Sequence, residues 1–226
     1  MKHILLACCA AVITCCLSCS KDKGDAPEDR TESFRNSVWA GEFQYATGSY
    51  TSVQPFSVSL ASDGTLTWSD IGSTRPGGTW AVDHDTITIT FPNSTSISAT
   101  VTDDSWSEFK GGAAAGVFLT QVSRAAAPDP AALPGSTWIG TLGGSPLFMN
   151  FIAGQKMNFT LGETSLATTL DYSIEGAGIR FTSNGITSTS VYYALLVNKT
   201  TMKGVNRFVS GFPSTVNYFP FTTNKQ

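Results

Sequence analysis

The chain contains two stretches that resemble each other, one on either side of a short segment rich in proline and alanine. The hexapeptide NSVWAG at 36–41 returns as GSTWIG at 135–140, and apolar residues beyond it recur at near-constant spacing. The recurring residues are Phe56, Val58, Leu60, Leu66 and Trp68 with Leu147, Met149, Phe151, Met157 and Phe159, then segments 80–82 and 87–89 with 172–174 and 179–181. A duplicated fold leaves this pattern. We therefore predict two related domains, 36–124 and 135–226, joined by a semi-rigid linker at 125–134.

Apolar and polar residues alternate within the first repeat, as in the run from Phe56 to Leu60. A period of two predicts strands with one buried face, and turn signals such as Asp63-Gly64 separate about eight such runs. The connections are too short for the crossovers that parallel strands need. The sequence therefore predicts an all-β fold of two tandem small antiparallel meander barrels, with a β-sandwich as the alternative.

The N-terminus has the layout of a secretory signal peptide. Lys2 and His3 precede an apolar run from Ile4 to Leu17, which is shorter than the roughly 20 residues that a membrane helix needs. All cysteines lie at or before Cys19, so the remaining chain has no disulfide and no thiol nucleophile. We predict a signal peptide at 1–18 and a polar tether at 19–35.

Two segments near the N-terminus resemble those of bacterial lipoproteins. Leu17-Ser18-Cys19 is similar to the lipobox, whose cysteine is lipidated, although Cys16 stands where the family usually has leucine. The following SKDKGD segment resembles the charged patch of surface-exposed Bacteroidota lipoproteins. The resemblance implies lipidation at Cys19 and a lipid anchor in the outer membrane, with the protein on the cell surface or on the periplasmic face.

The strand motifs of the first repeat also resemble a known architecture. Trp39-Ala40-Gly41, the Asp63-Gly64 hairpin and Gly78-Thr79-Trp80 are similar to the lipocalin-like (calycin-like) barrels of small Bacteroidota lipoproteins. The resemblance implies tandem lipocalin-like barrels. Because such families share no single activity, it implies no particular function.

The residues that usually carry catalysis are sparse. His84 is the only histidine after the leader, and it lies between Asp83 and Asp85, where an exposed turn is predicted. One histidine does not make a zinc site, and a net charge of −3 gives no basic patch for nucleic acid. We predict no enzyme activity, metal, cofactor or nucleic-acid partner. A hydrolase with paired carboxylates, such as Asp103-Asp104, is an open alternative.

Aromatic residues are the remaining candidates for a binding site. Trp39 and Trp138 occupy equivalent places, and we predict that each plugs one barrel end. Adjacent tyrosines in a strand face opposite sides, so one of the pair at 192–193 lies outside the barrel. The candidate ligand-binding residues are Trp106, Trp68, Trp80, Tyr192, Tyr193 and Phe212.

These observations lead to a hypothesis about function. The chain is expected to be a non-enzymatic, lipid-anchored cell-surface protein that binds a small apolar molecule or a glycan through aromatic side chains. An exposed Trp106 would suit stacking on sugar rings, although it can equally cover the barrel rim. The alternative is an accessory or structural lipoprotein that docks onto an outer-membrane protein complex.

Overall fold

The computed structural model describes residues 30–45, 53–114, 116–163, 165–211 and 214–226. They form two closed barrels, each made of eight antiparallel strands in sequential order, with the last strand pairing with the first. We call them barrel 1 and barrel 2. The predicted all-β fold of tandem meander barrels is confirmed, and the sandwich alternative is excluded.

The strands begin and end where the alternation and the turn signals change. One short helix, α1 (Thr31–Phe34), precedes the first strand. The strands of barrel 1 are β1 (Ser37–Tyr45), β2 (Gln54–Leu60), β3 (Thr65–Asp70), β4 (Thr74–Asp83), β5 (Thr86–Thr90), β6 (Ser96–Val101), β7 (Ser105–Lys110) and β8 (Val117–Ala125). Those of barrel 2 are β9 (Thr137–Leu142), β10 (Ser145–Ile152), β11 (Lys156–Leu161), β12 (Thr168–Glu175), β13 (Gly178–Asn184), β14 (Ser188–Asn198), β15 (Thr201–Ser210) and β16 (Thr215–Lys225).

The strand register confirms the internal repeat. Trp39 pairs with Val58 in barrel 1, as Trp138 pairs with Met149 in barrel 2. The matched apolar residues face inward in both barrels, because side chains alternate between the two faces of a strand. Their burial forms one hydrophobic core in each barrel. The residues that recur in the sequence are therefore those that face the interior in both barrels.

Each barrel is closed at one end by the same device. In barrel 1, the Trp39 indole donates a hydrogen bond to Ser37 Oγ (2.8 Å), and Ser37 Oγ donates to the carbonyl of Phe34. Barrel 2 repeats the arrangement, since the Trp138 indole donates to Ser136 Oγ (3.0 Å) and Ser136 Oγ donates to the carbonyl of Leu133 (2.6 Å). The predicted plugging role of both tryptophans is confirmed. We call these the closed ends.

The two barrels pack side by side. The outer face of β1 and the β3–β4 turn contact β14, β15 and the β12–β13 turn through a separate apolar cluster, and β2 also contacts β14 and β15. Gly176, in the β12–β13 turn, has a φ of 60°, and a Cβ there would lie 2.3 Å from Ser57 Oγ. Glycine therefore permits both the turn conformation and the close approach. The buried residues of the interface are Ile71, Ala177, Tyr193, Leu195 and Val205.

Candidate functional site

A cavity of about 630 Å³ lies at the end of barrel 1 opposite Trp39. It is bounded by the last residues of β1 and β3, the first residues of β4 and β8, and the β5–β6 turn. We call this the open-end cavity. Its volume falls in the range of about 300–1,000 Å³ that is usual for small-molecule sites.

Aromatic rings form one wall of the open-end cavity. Phe43, Tyr45, Trp68 and Phe91 all line it. The Trp68 ring meets those of Phe43 and Phe91 edge to face, with centroids 5.9 Å and 5.5 Å apart. On its other side the Trp68 ring stacks on Phe56 at 4.1 Å. Because the rings hold one another in place, the apolar wall is formed before any ligand arrives.

A buried carboxylate forms the polar side of the cavity. Asp70 is fully buried, and its oxygens accept hydrogen bonds from the Trp68 indole (2.8 Å), from the backbone N–H groups of Gly72 (2.7 Å) and Ser73 (3.3 Å), and from Arg75. A carboxylate has about four lone-pair positions. The protein's own donors therefore occupy the acceptor capacity of Asp70.

Arg75 is the charged group that reaches the solvent side of the cavity. Its guanidinium is paired with the Asp70 carboxylate, yet half of the side chain is exposed. A guanidinium carries five N–H donors in a rigid planar fork. The buried aspartate therefore fixes the orientation of Arg75 and leaves further donors of the fork to the cavity.

Barrel 2 holds the turn that carries Asp70 and Arg75. Arg180 donates hydrogen bonds from β13 to the backbone carbonyls of Asp70 and Ile71, the latter at 3.0 Å. Its Nε also pairs with Glu175 Oε2 (2.7 Å), and Glu175 accepts a hydrogen bond from Thr74. The polar wall in barrel 1 is thus positioned by an ion pair that belongs to barrel 2.

Two ionisable groups near this turn have shifted pKa values. Burial raises the pKa of Glu175, but the hydrogen bonds from Thr74 and Arg180 and the charge of Arg180 outweigh burial, so its pKa lies below the ordinary value. Burial raises the pKa of Tyr45, and the nearby Asp70 carboxylate raises it further. Glu175 is therefore ionised at neutral pH, and the Tyr45 hydroxyl keeps its proton and can act as a donor.

The structure brings one of the predicted tryptophans to the cavity and leaves the others elsewhere. Trp68 lines the open-end cavity. Trp80 is buried towards the closed end, where its indole donates to the carbonyl of Ala61 (2.9 Å). Trp106 is also buried, with its ring 5.1 Å from that of Trp39. It is therefore part of the closed end and offers no exposed ring for stacking.

The two adjacent tyrosines point to opposite sides of β14, as predicted. Tyr192 lies in the core of barrel 2. Tyr193 lies between the barrels, where its hydroxyl is 2.7 Å from Ser57 Oγ and donates to the carbonyl of Glu175 (3.2 Å). Burial raises the pKa of Tyr193. Neither tyrosine lines the open-end cavity, and Phe212 and Cys19 lie outside the described residues.

Sequence reasoning missed the polar residues of the site. Asp70 continues the inward phase of Leu66 and Trp68, so a carboxylate at an inward position was the available signal. Phe43 and Tyr45 likewise continue the phase of Trp39 along β1. Arg75 gave no such signal, because the register shift in the β3–β4 pairing lies between Pro76 and Gly78 and interrupts the alternation that runs back from Trp80.

The remaining findings concern His84, possible metal ligands and membrane-spanning helices. His84 lies at the β4–β5 turn, exposed and with a φ of 55°, as the turn prediction required. Within the described ranges, no three His, Cys, Asp or Glu side chains are grouped so that they could hold a metal ion. No helix among the described residues is long and apolar enough to cross a membrane.

Comparison with known proteins yields little. No protein-family model matches the chain, and no curated protein matches it. Among solved structures, a protein of unknown function from the DUF3598 family of Nostoc punctiforme is similar to this chain at 13% sequence identity. The match covers 88% of this chain and 99% of that chain, with a TM-score of 0.29. At this score the likeness carries no inference about function.

Proposed function

We propose that the chain is a lipid-anchored cell-surface binding protein whose first barrel takes a small ligand with an apolar, ring-sized body. The observation that carries the proposal is the open-end cavity with its wall of four aromatic side chains. Apolar pockets with a few fixed polar groups are the usual form of small-molecule sites. The lipobox-like segment before Cys19 supports the anchor, and the proposed role requires no catalysis.

The position of Trp106 favours an apolar ligand over a glycan. Stacking on a sugar needs an exposed aromatic face, and Trp106 is only 3% exposed. The rings of the open-end cavity surround a concave space instead of forming a flat platform. That shape suits a ligand that enters the barrel.

The test is a titration of the purified protein with the neutral dye N-phenyl-1-naphthylamine, followed by dye fluorescence. Val117 lines the cavity, whereas Phe118, the next residue on β8, is 51% exposed. We expect one dye per chain, with affinity reduced about tenfold or more by Val117→Trp and unchanged by Phe118→Trp. Both variants add one indole to β8. The indole of Val117→Trp lies at the cavity, whereas that of Phe118→Trp lies on the outer face of the barrel.

A dye that does not bind, or that binds equally well to the Val117→Trp variant, would contradict the proposal. If mixed polysaccharide fragments bound instead, the ligand class would be wrong and a glycan would take its place. Circular dichroism of both variants separates a blocked cavity from a barrel that has failed to fold.

A further inference from the structure

The polar wall of the open-end cavity indicates what the ligand must carry in addition to its apolar body. Hydrogen-bonding groups in an enclosed site discriminate strongly, because a mismatched ligand leaves them unpaired. The donors and acceptors of the wall that the protein itself does not satisfy therefore determine which ligands fit.

The strongest side-chain acceptors of the wall are already occupied. Four protein donors bind the Asp70 carboxylate. The side-chain oxygen of Asn93 accepts from the backbone N–H and the hydroxyl of Thr95, at 3.2 Å and 2.7 Å. A cationic ligand would meet no unoccupied carboxylate here, and it would meet the positive charge of Arg75.

Donors, in contrast, remain without a hydrogen-bond partner among the described residues of the cavity. Arg75 presents the rest of its guanidinium fork, with one edge held by Asp70. The Tyr45 hydroxyl keeps its proton because burial and Asp70 raise its pKa. A guanidinium fork binds planar oxygen anions in two parallel hydrogen bonds, and such charge-assisted bonds are the strong ones.

We propose that the open-end cavity recognises a small apolar ring compound that carries an anionic oxygen group, such as a carboxylate, which Arg75 binds while the aromatic wall holds the ring. This inference rests on the proposed function, since it assigns the ligand class of the same cavity. Asp70 acts as a positioning residue, because it orients Arg75 and has no free lone pair for the ligand.

Two dyes of similar shape, one anionic and one neutral, test whether the cavity recognises a negative charge. 1-Anilinonaphthalene-8-sulfonate has the ring system of N-phenyl-1-naphthylamine and adds one sulfonate. An apolar site without anion recognition favours the neutral dye, because the sulfonate must lose water. We expect the reverse order at low salt. The sulfonate dye should bind about tenfold or more tightly than the neutral dye, because one charge-assisted hydrogen bond contributes a free energy of that size. Equal binding, or tighter binding of the neutral dye, would overturn the inference.

Variants of Asp70 and Arg75 test whether Arg75 is the group that binds the anion. Arg75→Lys keeps the positive charge and the folded pair but loses the fork, and we expect the sulfonate dye to weaken about fivefold to tenfold. Asp70→Asn combined with Arg75→Met removes both charges together, so that no lone charge is left buried. In this double variant the preference for the sulfonate dye should vanish while the neutral dye still binds. A preference that survives the double variant would contradict the role of Arg75.

The outcomes separate this inference from the proposed function. If both dyes bind equally and Val117→Trp blocks both, the cavity binds apolar ligands and only the anionic class is wrong. If the sulfonate dye binds but Val117→Trp leaves it unaffected, the anionic inference fails, and the proposed function fails with it when the neutral dye is unaffected too. That dye would then be expected in the groove between the barrels, which Lys199, Lys203 and Lys225 line, and Lys203→Met should release it.

Discussion

Barrel 1 and barrel 2 share their strand order and their closed ends, but they differ at the opposite end. The register gives the equivalent positions: Asp70 corresponds to Leu161, Arg75 to Thr168, Ile89 to Phe181 and Ile97 to Tyr192. Barrel 1 thus has an ion pair and two aliphatic residues where barrel 2 has no charge and two aromatic rings.

The aromatic pair of barrel 2 fills its interior. Phe181 and Tyr192 are stacked with centroids 4.4 Å apart, and Phe159 packs against both, at 5.5 Å and 5.1 Å. In barrel 1 the same layer holds Ile89 and Ile97, which are smaller and carry no ring. The two copies therefore place different inward residues on the same shell, and the open-end cavity lies in the copy whose layer has no stacked ring pair at these positions.

The inward polar residues of barrel 1 cost stability. Both polar atoms of the Gln54 side chain are buried and form no hydrogen bond with a described residue, and Asp70 is a buried carboxylate. Barrel 2 has Leu161 and the small Ser145 at the equivalent positions. Local features that oppose stability in an otherwise consistent fold tend to mark functional sites. Among the described residues Trp106 Nε1 at the closed end and Thr223 Oγ1 in barrel 2 are also buried without a partner, so the assignment of the site to barrel 1 rests on the cavity and not on this cost.

The largest expected effects test whether the two closed ends contribute similarly to the free energy of unfolding. Trp39→Ala and Trp138→Ala each remove a buried indole, so we expect each to lower the free energy of unfolding by about 3–5 kcal/mol. Trp39 also packs on Trp106 and lies under the Arg124 guanidinium, 5.1 Å from its ring, so its loss should be the greater. Urea unfolding followed by circular dichroism measures both values. A Trp138→Ala variant less stable than Trp39→Ala would show that these extra contacts contribute nothing.

A smaller effect tests whether barrel 2 supports the cavity of barrel 1. Arg180→Met leaves Glu175 without its cation, and we expect a loss of about 2–3 kcal/mol, since the pair is mostly but not fully buried. The β3–β4 turn also loses two hydrogen bonds, so binding of the sulfonate dye should weaken although Arg180 does not line the cavity. Arg35→Met, which breaks a surface pair with Glu32, is the control. Unchanged dye binding in Arg180→Met would show that the turn holds its shape without barrel 2.

The architecture could be predicted from the sequence more fully than the site. Alternation at period two reports which residues face inward, and turn signals report where strands end, so both barrels and the two plugging tryptophans followed from local patterns. The cavity depends on how inward side chains of neighbouring strands pack against one another. Ile97 and Tyr192 both read as apolar, yet only the tyrosine meets a stacking partner. The ion pair between Asp70 and Arg75 is also fixed by a strand pairing that alternation does not reveal.

Removing one ring of the packed layer should make barrel 2 resemble barrel 1. Tyr192→Ile introduces the residue type found at position 97, and we expect a loss of about 1–3 kcal/mol for the change of shape. The space created should let N-phenyl-1-naphthylamine bind to a second site. The sulfonate dye should gain no second site, because Thr168 stands in place of Arg75. Two sites for both dyes would show that anion recognition does not require the arginine.

The smallest effect is the pH dependence that Glu175 contributes to the contact between the barrels. Because its pKa is lower in the folded state, the ionised form stabilises the fold above the unfolded pKa of about 4.3, and the contribution is lost as the pH falls through the folded value. Glu175→Gln removes this contribution, so the difference in urea midpoint between the parent protein and the variant should be constant near pH 6 and shrink below about pH 4. Glu32→Gln, at an exposed surface pair, is the matched control. A difference that stays constant down to pH 3 would mean that the hydrogen bonds from Thr74 and Arg180 do not depend on the charge of Glu175.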